Sequence, residues 1–274
     1  MRVINFCADG IKAAAEKGFF DWAINQDADL ICIQNLDCEE YDLSSDVFFP
    51  QGYFPYFFDN MDGTNGVAIY TRKLPKAIMT GLGFNDFDIE ARYIQADFDD
   101  ISIGSILVPD SSLDDANSME RKAQFLDLMQ QHLEKISHKR REFIFAGNWN
   151  IAHNLNDVQQ EQSDDTPGFL TEERRWLDEV THQLNYSDAF REANSDNDEF
   201  SWWPAGDRDK NGWRVDLQLV SPGLIDLVEY ATIYKSKSFS SHAPVIIDYD
   251  YPFEEDEFWY KRSLCIKKAA NAAL

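Results

Sequence analysis

The chain has 274 residues, 49 acidic against 25 basic, a net charge of -24, and a 44% hydrophobic content that includes 20 Phe, 11 Tyr and 7 Trp. That apolar supply fills a sizeable core, and with no Pro/Ser/Gly-rich linker to divide the chain, one large α/β or double-sheet domain is expected. A field of this sign repels phosphates at long range, which argues against nucleic-acid binding by the chain alone; it suits a basic partner, nucleic acid held by a second protein, or a surface that is simply soluble. Cys7, Cys32, Cys38 and Cys265 make no Cys-x-x-Cys pair and no Cys/His zinc spacing. Cys7 and Cys32 sit in apolar runs and read as buried thiols. The N-terminus shows no signal-peptide core, and no apolar run nears the roughly 18 residues of a membrane span, so a soluble, cytoplasmic protein is expected.

Arg2 to Phe6 reads as a short buried strand, turned by Asp9-Gly10 into a helix. Ile11, Ala14 or Ala15, Phe19, and Trp22 with Ala23 recur in that helix at three- to four-residue spacing. Asp29 to Gln34 is an unbroken apolar strand of the kind buried on both faces. Strand-like segments follow at Tyr53 to Phe58, Gly66 to Arg72, Tyr93 to Phe98 and Ile101 to Val108, close enough together for hairpins and antiparallel neighbours. Met119 to Leu133 is a helix with Met119, Ala123, Leu126, Met129 and Leu133 on one face. Lys139-Arg140-Arg141 then leads into a strand from Glu142 to Ala146.

Residues 154–165 read as a polar, acidic, mobile loop. Thr171 is placed to cap a helix, with Glu172 and Glu173 at its positive end and Trp176, Leu177, Val180 and Leu184 facing the core. Phe200-Ser201-Trp202-Trp203-Pro204 is an aromatic run, and Val215 to Val220 and Val245 to Tyr251 are strands. The tail from Glu254 to Leu274 ends in an Ala-rich helix with Lys261, Arg262, Lys267 and Lys268. Many strands in mixed order with three substantial helices predict two packed mixed sheets covered by helices, a four-layer α/β/β/α sandwich. The expected organisation is one domain over residues 1–252 and a C-terminal extension over 253–274.

The stretch that organises the chain is Phe145-Ala146-Gly147-Asn148-Trp149-Asn150. An apolar strand runs into a Gly turn and presents two amides at its C-terminal end, where an α/β enzyme places its working groups. Phosphate hydrolysis would want a carboxylate there to deprotonate or orient water.

The order of segments resembles the exonuclease III-like branch of the endonuclease–exonuclease–phosphatase superfamily over roughly residues 1–252. The resemblance is carried by Asn5-Phe6-Cys7-Ala8-Asp9-Gly10, Ile33-Gln34-Asn35-Leu36, Gly66-Val67-Ala68-Ile69 and Gly147-Asn148-Trp149-Asn150. It continues through Phe169 to Trp176, Phe200 to Trp203, Arg214-Val215-Asp216 and Ser240-Ser241-His242-Ala243-Pro244. The resemblance implies phosphodiester cleavage with Mg²⁺ held by carboxylates, water activated by an Asp, and a His paired with an Asp. In this chain the metal Glu is Asn35, the water-activating Asp is Asn148, the Asp before the His is Ser241, the first amide is Cys7 and an expected Tyr is Leu107. Asp9, Asn150, Asp216 and His242 remain, with Asp216 and His242 expected as a buried pair. Losing a general base costs roughly 10²–10⁴ in rate, so the expectation is a folded cleft without chemistry, with no catalytic residue, metal or cofactor.

Within the superfamily the chain is similar to the catabolite repression control (Crc) group. Gly10 to Glu16, Arg92 to Asp99, Lys139 to Glu142, Pro167 to Leu170, Phe200 to Pro204, Gly212 to Arg214, His242 to Pro244 and Asp248 to Asp250 carry that similarity. The resemblance implies a non-enzymatic post-transcriptional regulator that assembles with the RNA chaperone Hfq on A-rich mRNA, binds little RNA alone and represses translation; self-association within that complex stays open. Lys139, Arg140 and Arg141 are candidates for touching phosphate or an acidic partner surface, or else a solvated end before a buried strand. Trp202 and Trp203 are candidates for stacking on a base, with at least one expected in the core. Leu224 to Tyr234, with Glu229, is less basic than that group implies. The alternatives are a divergent Mg²⁺-dependent DNA-repair nuclease using Asp9, Asn150, Asp216 and His242, and a protein-interaction scaffold without nucleic acid.

Overall fold

Along Arg2–Cys7 (β1), successive side chains serve two different cores: Val3 points between the sheets, whereas Ile4 and Phe6 point outward under two short helices. The same alternation governs Glu142–Asn148 (β8), with Ile144 and Ala146 inward and Phe143 and Phe145 outward. A strand that is apolar on both faces must be covered on both, and that requirement produces four layers. The computed structural model describes residues 1–253.

The remaining strands are Leu30–Gln34 (β2), Phe54–Phe58 (β3), Val67–Thr71 (β4), Ala77–Thr80 (β5), Tyr93–Asp97 (β6), Ile101–Leu107 (β7), Ser187–Asp188 (β9), Asp216–Val220 (β10), Val228–Ile233 (β11) and Val245–Tyr249 (β12). One six-stranded sheet runs β11-β12-β1-β2-β4-β3, the other β5-β6-β7-β8-β10-β9. Each has one parallel pair at its centre, β1 with β2 and β7 with β8, and antiparallel neighbours elsewhere. Helices Ile11–Glu16 (α1) and Phe19–Ala23 (α2) cover the first sheet; Ala116–Ile136 (α4) and Thr171–Leu184 (α5) cover the second. Three further helices are short: Asn85–Asp88 (α3), Ala189–Ala193 (α6) and Pro222–Ile225 (α7). The expected α/β/β/α sandwich of two mixed sheets is the observed fold.

Several local expectations change. The single N-terminal helix is two, because Gly18 takes a left-handed φ of 83° between them. Thr171 is the first helical residue of α5 and not its cap; Leu170 precedes it, and Glu173 accepts the Leu170 N–H at 3.1 Å. The acidic loop after residue 153 is pinned, since Asp157 is fully buried and pairs with Arg214 and Arg191 at 2.8 and 2.7 Å. The edge strands β5 and β11 were not expected: three of the four residues of β5 and two of the six of β11 are exposed, and neither carries a long apolar run. The basic Ala-rich tail lies outside the described residues. Among the described residues no helix is long and apolar enough to cross a membrane.

The space between the sheets is apolar at one end and becomes polar toward the C-terminal ends of β1 and β8. Gln218 donates to Asn5 Oδ1 and Val3 O at 3.0 and 3.1 Å and accepts from the Tyr249 hydroxyl at 2.8 Å. Gln34 donates to Ser105 Oγ at 2.8 Å. These buried amides bond across the sheets and lead into the cavity described next.

Candidate functional site

Register brings the site together. Asn148, the last residue of β8, stands opposite Leu107 of β7 on one side and Asp216 of β10 on the other. Cys7, the last residue of β1, stands beside Gln34, the last of β2, which places Asn35 one residue further on. The two sheets meet at these ends, where a cavity of about 330 Å³ opens. Seven of the nine residues singled out from sequence line it: Cys7, Asp9, Asn35, Leu107, Asn148, Asn150 and His242. Asp216 and Ser241 stand behind it, hydrogen-bonded to His242 and Asp9.

Four of the lining residues hold backbone that L-residues seldom adopt: Asp9, Asn35, Asn65 and Asn150 have φ of 48°, 57°, 56° and 53°. Asx residues tolerate this region best, and such conformations collect at functional sites. The turns are held by neighbours. Gly10 N–H donates to Asn35 O at 3.0 Å, and Lys122 Nζ donates to Asn150 O at 2.7 Å.

The side chains are tied to one another. His242 Nδ1 is 2.8 Å from Asp216 Oδ2, with both residues buried, so the other ring nitrogen is left for the cavity side. Burial opposes a charged ring, but the Asp216 carboxylate outweighs it and raises the His242 pKa well above the usual histidine range. Burial pushes the Cys7 thiol up. Asp216 Oδ1 is buried with no hydrogen-bond partner among the protein atoms. Asn148 donates from Nδ2 to Cys7 Sγ at 3.7 Å and accepts the Asn150 N–H on Oδ1 at 2.9 Å. Asn35 donates to Asp37 at 3.2 Å. Asp9 accepts both the N–H and the hydroxyl of Ser241.

Mg²⁺ is a hard cation that wants anionic oxygen. The wall offers two carboxylates, Asp9 and Asp110, beside a thiol, an imidazole and four neutral amides. The Asn148 oxygen already accepts a backbone N–H. This donor set does not fit a carboxylate-held Mg²⁺ site.

Trp202 also lines the cavity, its ring centroid 6.0 Å from that of His242 and 6.2 Å from that of Trp213. Trp203 is buried in the core between the sheets. Lys139, Arg140 and Arg141 precede β8, whose other end holds Asn148; seven strand residues at about 3.3 Å each separate the cluster from the cavity by roughly 20 Å. Lys139 lies over the Phe143 ring, and Arg141 is bound to Asp97, Ser102, Phe98 O and Asp99 O. Arg140 is exposed.

Sequence reasoning missed Asn65, Arg92, Asp110, Lys122 and Trp213 on the wall. Lys122 carried a signal. It interrupts the apolar face of α4, and in the fold it is buried against Glu173 of α5. The other four come from loops or strand ends whose pattern shows no periodicity.

Two packed mixed sheets thus meet at a polar cavity formed by their strand ends. Residues 9–237 match the Endonuclease/Exonuclease/phosphatase family, and the chain belongs to it. It is 27% identical to an exodeoxyribonuclease of Bacillus subtilis, covering 89% of this chain and 98% of that one. It is 26% identical to a DNA-(apurinic or apyrimidinic site) endonuclease of Dictyostelium discoideum, covering 89% of this chain and 69% of that one. Among solved structures, an AP endonuclease from Archaeoglobus fulgidus superposes with a TM-score of 0.82 at 21% identity, over 92% of this chain and all of that one.

Proposed function

We propose that this chain uses the family fold for binding without hydrolysis. It acts as a post-transcriptional regulator of the catabolite repression control kind, joining the RNA chaperone Hfq on A-rich mRNA to repress translation. The observation that carries this is the pair of amides at Asn35 and Asn148. At the two places where the resemblance puts a metal carboxylate and a water-activating carboxylate, the oxygens are neutral, and that of Asn148 is engaged by a backbone N–H. The net charge of -24 supports a role in which a partner holds the RNA. Trp202, in the cavity wall, offers a ring for stacking on a base.

The names of the relatives favour a second reading, a divergent metal-dependent nuclease of the exonuclease III kind. Asp9, Asn150 and His242 on the wall and Asp216 behind it would be its working residues. One experiment separates the two. Gel shifts with A-rich RNA are run with this protein alone, Hfq alone and both, beside Mg²⁺- and Mn²⁺-supplemented cleavage of abasic DNA. A supershift only with both proteins, and no cleavage, is the expected result. Cleavage that disappears in His242→Ala would replace the regulator with the nuclease.

A further inference from the structure

The donor set that fails magnesium suits another class of ion. Cys7, Asp9 and His242 each offer a ligand atom, and these atoms all lie within 4.8 Å of one another on the cavity wall. A thiolate, an imidazole nitrogen and a carboxylate oxygen make a borderline-soft set of the kind zinc takes, with the fourth position left open to a cavity. We propose that these three residues form a site for Zn²⁺.

Each candidate ligand already has the partner such a site needs. A zinc-binding histidine donates its other ring N–H to a carboxylate, which fixes its orientation. His242 does this through Nδ1 to Asp216. The Cys7 sulfur accepts from the Asn148 amide, a contact that stabilises a thiolate. The Asp9 carboxylate is steadied by the Ser241 N–H and hydroxyl. Ser241 and Asn148 are positions where the resemblance expects acids. Here they are donors that support the neighbouring ligands. The Asp9 carboxylate on the wall and Asp216 behind it supply negative charge that a divalent cation offsets, and metal binding displaces the Cys7 thiol proton. Tetrahedral zinc with bonds of about 2.0–2.3 Å keeps its ligands roughly 3.5 Å apart, so closure from the observed spacing takes side-chain shifts of about one ångström. Cys7 and Asp9 lie at the end of β1 and in the turn after it, but His242 comes from the far end of the chain, just before β12, so no motif spacing marks the set.

The test is a Co²⁺ titration of the metal-stripped full chain, read by thiolate-to-cobalt charge-transfer absorption. The expected result is a band saturating at one equivalent, lost on adding Zn²⁺, insensitive to equimolar Mg²⁺ and absent in Cys7→Ser. Asp9→Asn, at a solvent-facing carboxylate, keeps the fold and weakens apparent Co²⁺ affinity roughly tenfold or more. No band in the folded chain, or a band retained in Cys7→Ser, overturns the site. So does an Asp9→Asn affinity equal to the unsubstituted chain's, a readout that stands even if Cys7→Ser does not fold. The titration contains neither RNA nor nuclease substrate, so its failure is distinct from failure of the regulatory reading.

Discussion

The Nδ2 of Asn148 donates to the Cys7 sulfur over 3.7 Å, joining the end of β8 in one sheet to the end of β1 in the other. An aspartate at position 148 has no hydrogen to give. It would place a buried negative charge beside the sulfur and opposite Asp216 on the neighbouring strand. Asn148→Asp is therefore expected to lose about 1–3 kcal/mol in chelator. In the double variant with Asn35→Glu, millimolar Mg²⁺ should restore part of that loss, because an ion that binds only the folded state stabilises it. Urea melts with and without Mg²⁺ measure both effects; a double variant indifferent to Mg²⁺ would show that the carboxylates alone do not rebuild a magnesium site.

Arg214 is fully buried and bridges Asp157 and Asp188, at 2.8 and 2.6 Å. Removing one partner of a buried pair leaves the others uncompensated, so Arg214→Met should cost about 3–5 kcal/mol in denaturant stability.

The same network sets an acid limit. Burial raises the Asp157 pKa, but Arg214 and Arg191 outweigh it and hold the carboxyl well below its ordinary range. A depressed carboxylate contributes stability above its unfolded pKa of about 3.9, and that contribution is lost as pH falls through the window below it. Stability should drop below about pH 4 in the unsubstituted chain and drop less steeply in Arg214→Met, as measured by urea midpoints against pH.

His132 gives a second pH dependence with a different window. It packs against Phe84 and Phe145, and burial, helped by Lys139 and Lys135, lowers its pKa to about 4. The unfolded chain binds this proton near pH 6.5. Between these values the unfolded state holds more protons, so stability rises with pH across the window. The loss from about pH 7.5 to about pH 5 is roughly 2 kcal/mol. His132→Gln should flatten that part of the profile; an unchanged slope would assign it to another group.

Gly147 lies one residue before Asn148, and a Cβ there would sit 1.9 Å from the Ile106 carbonyl oxygen on the paired strand. Gly147→Ala cannot be accommodated without parting β7 from β8. A loss of at least about 3 kcal/mol is expected, or failure to express as folded protein, read by circular dichroism and thermal melting.

The chain itself determined much of this. Apolar runs such as Leu30–Gln34 fix strands buried on both faces, and the spacing along Ala116–Ile136 fixes a helix against a sheet, so the layers were legible. The amides at Asn35 and Asn148 were legible too, because they sit in ordered motifs at strand ends. The break at Gly18 and the cap at Leu170 were harder to read, since each depends on one residue's backbone conformation and not on a periodic pattern.

Only the tertiary structure decided which polar groups meet. Strand register sets Asn148 beside Leu107 and Asp216, the antiparallel pairing of β1 with β12 brings Cys7 and His242 together from opposite ends of the chain, and the packing of the two sheets sets them across from Asn148. It also separated two adjacent tryptophans, sending Trp202 to the cavity and Trp203 to the core. Periodicity in a sequence reports which face of an element is apolar. It carries no information about which distant strand end lies across the gap, because that is fixed by the pairing of whole sheets.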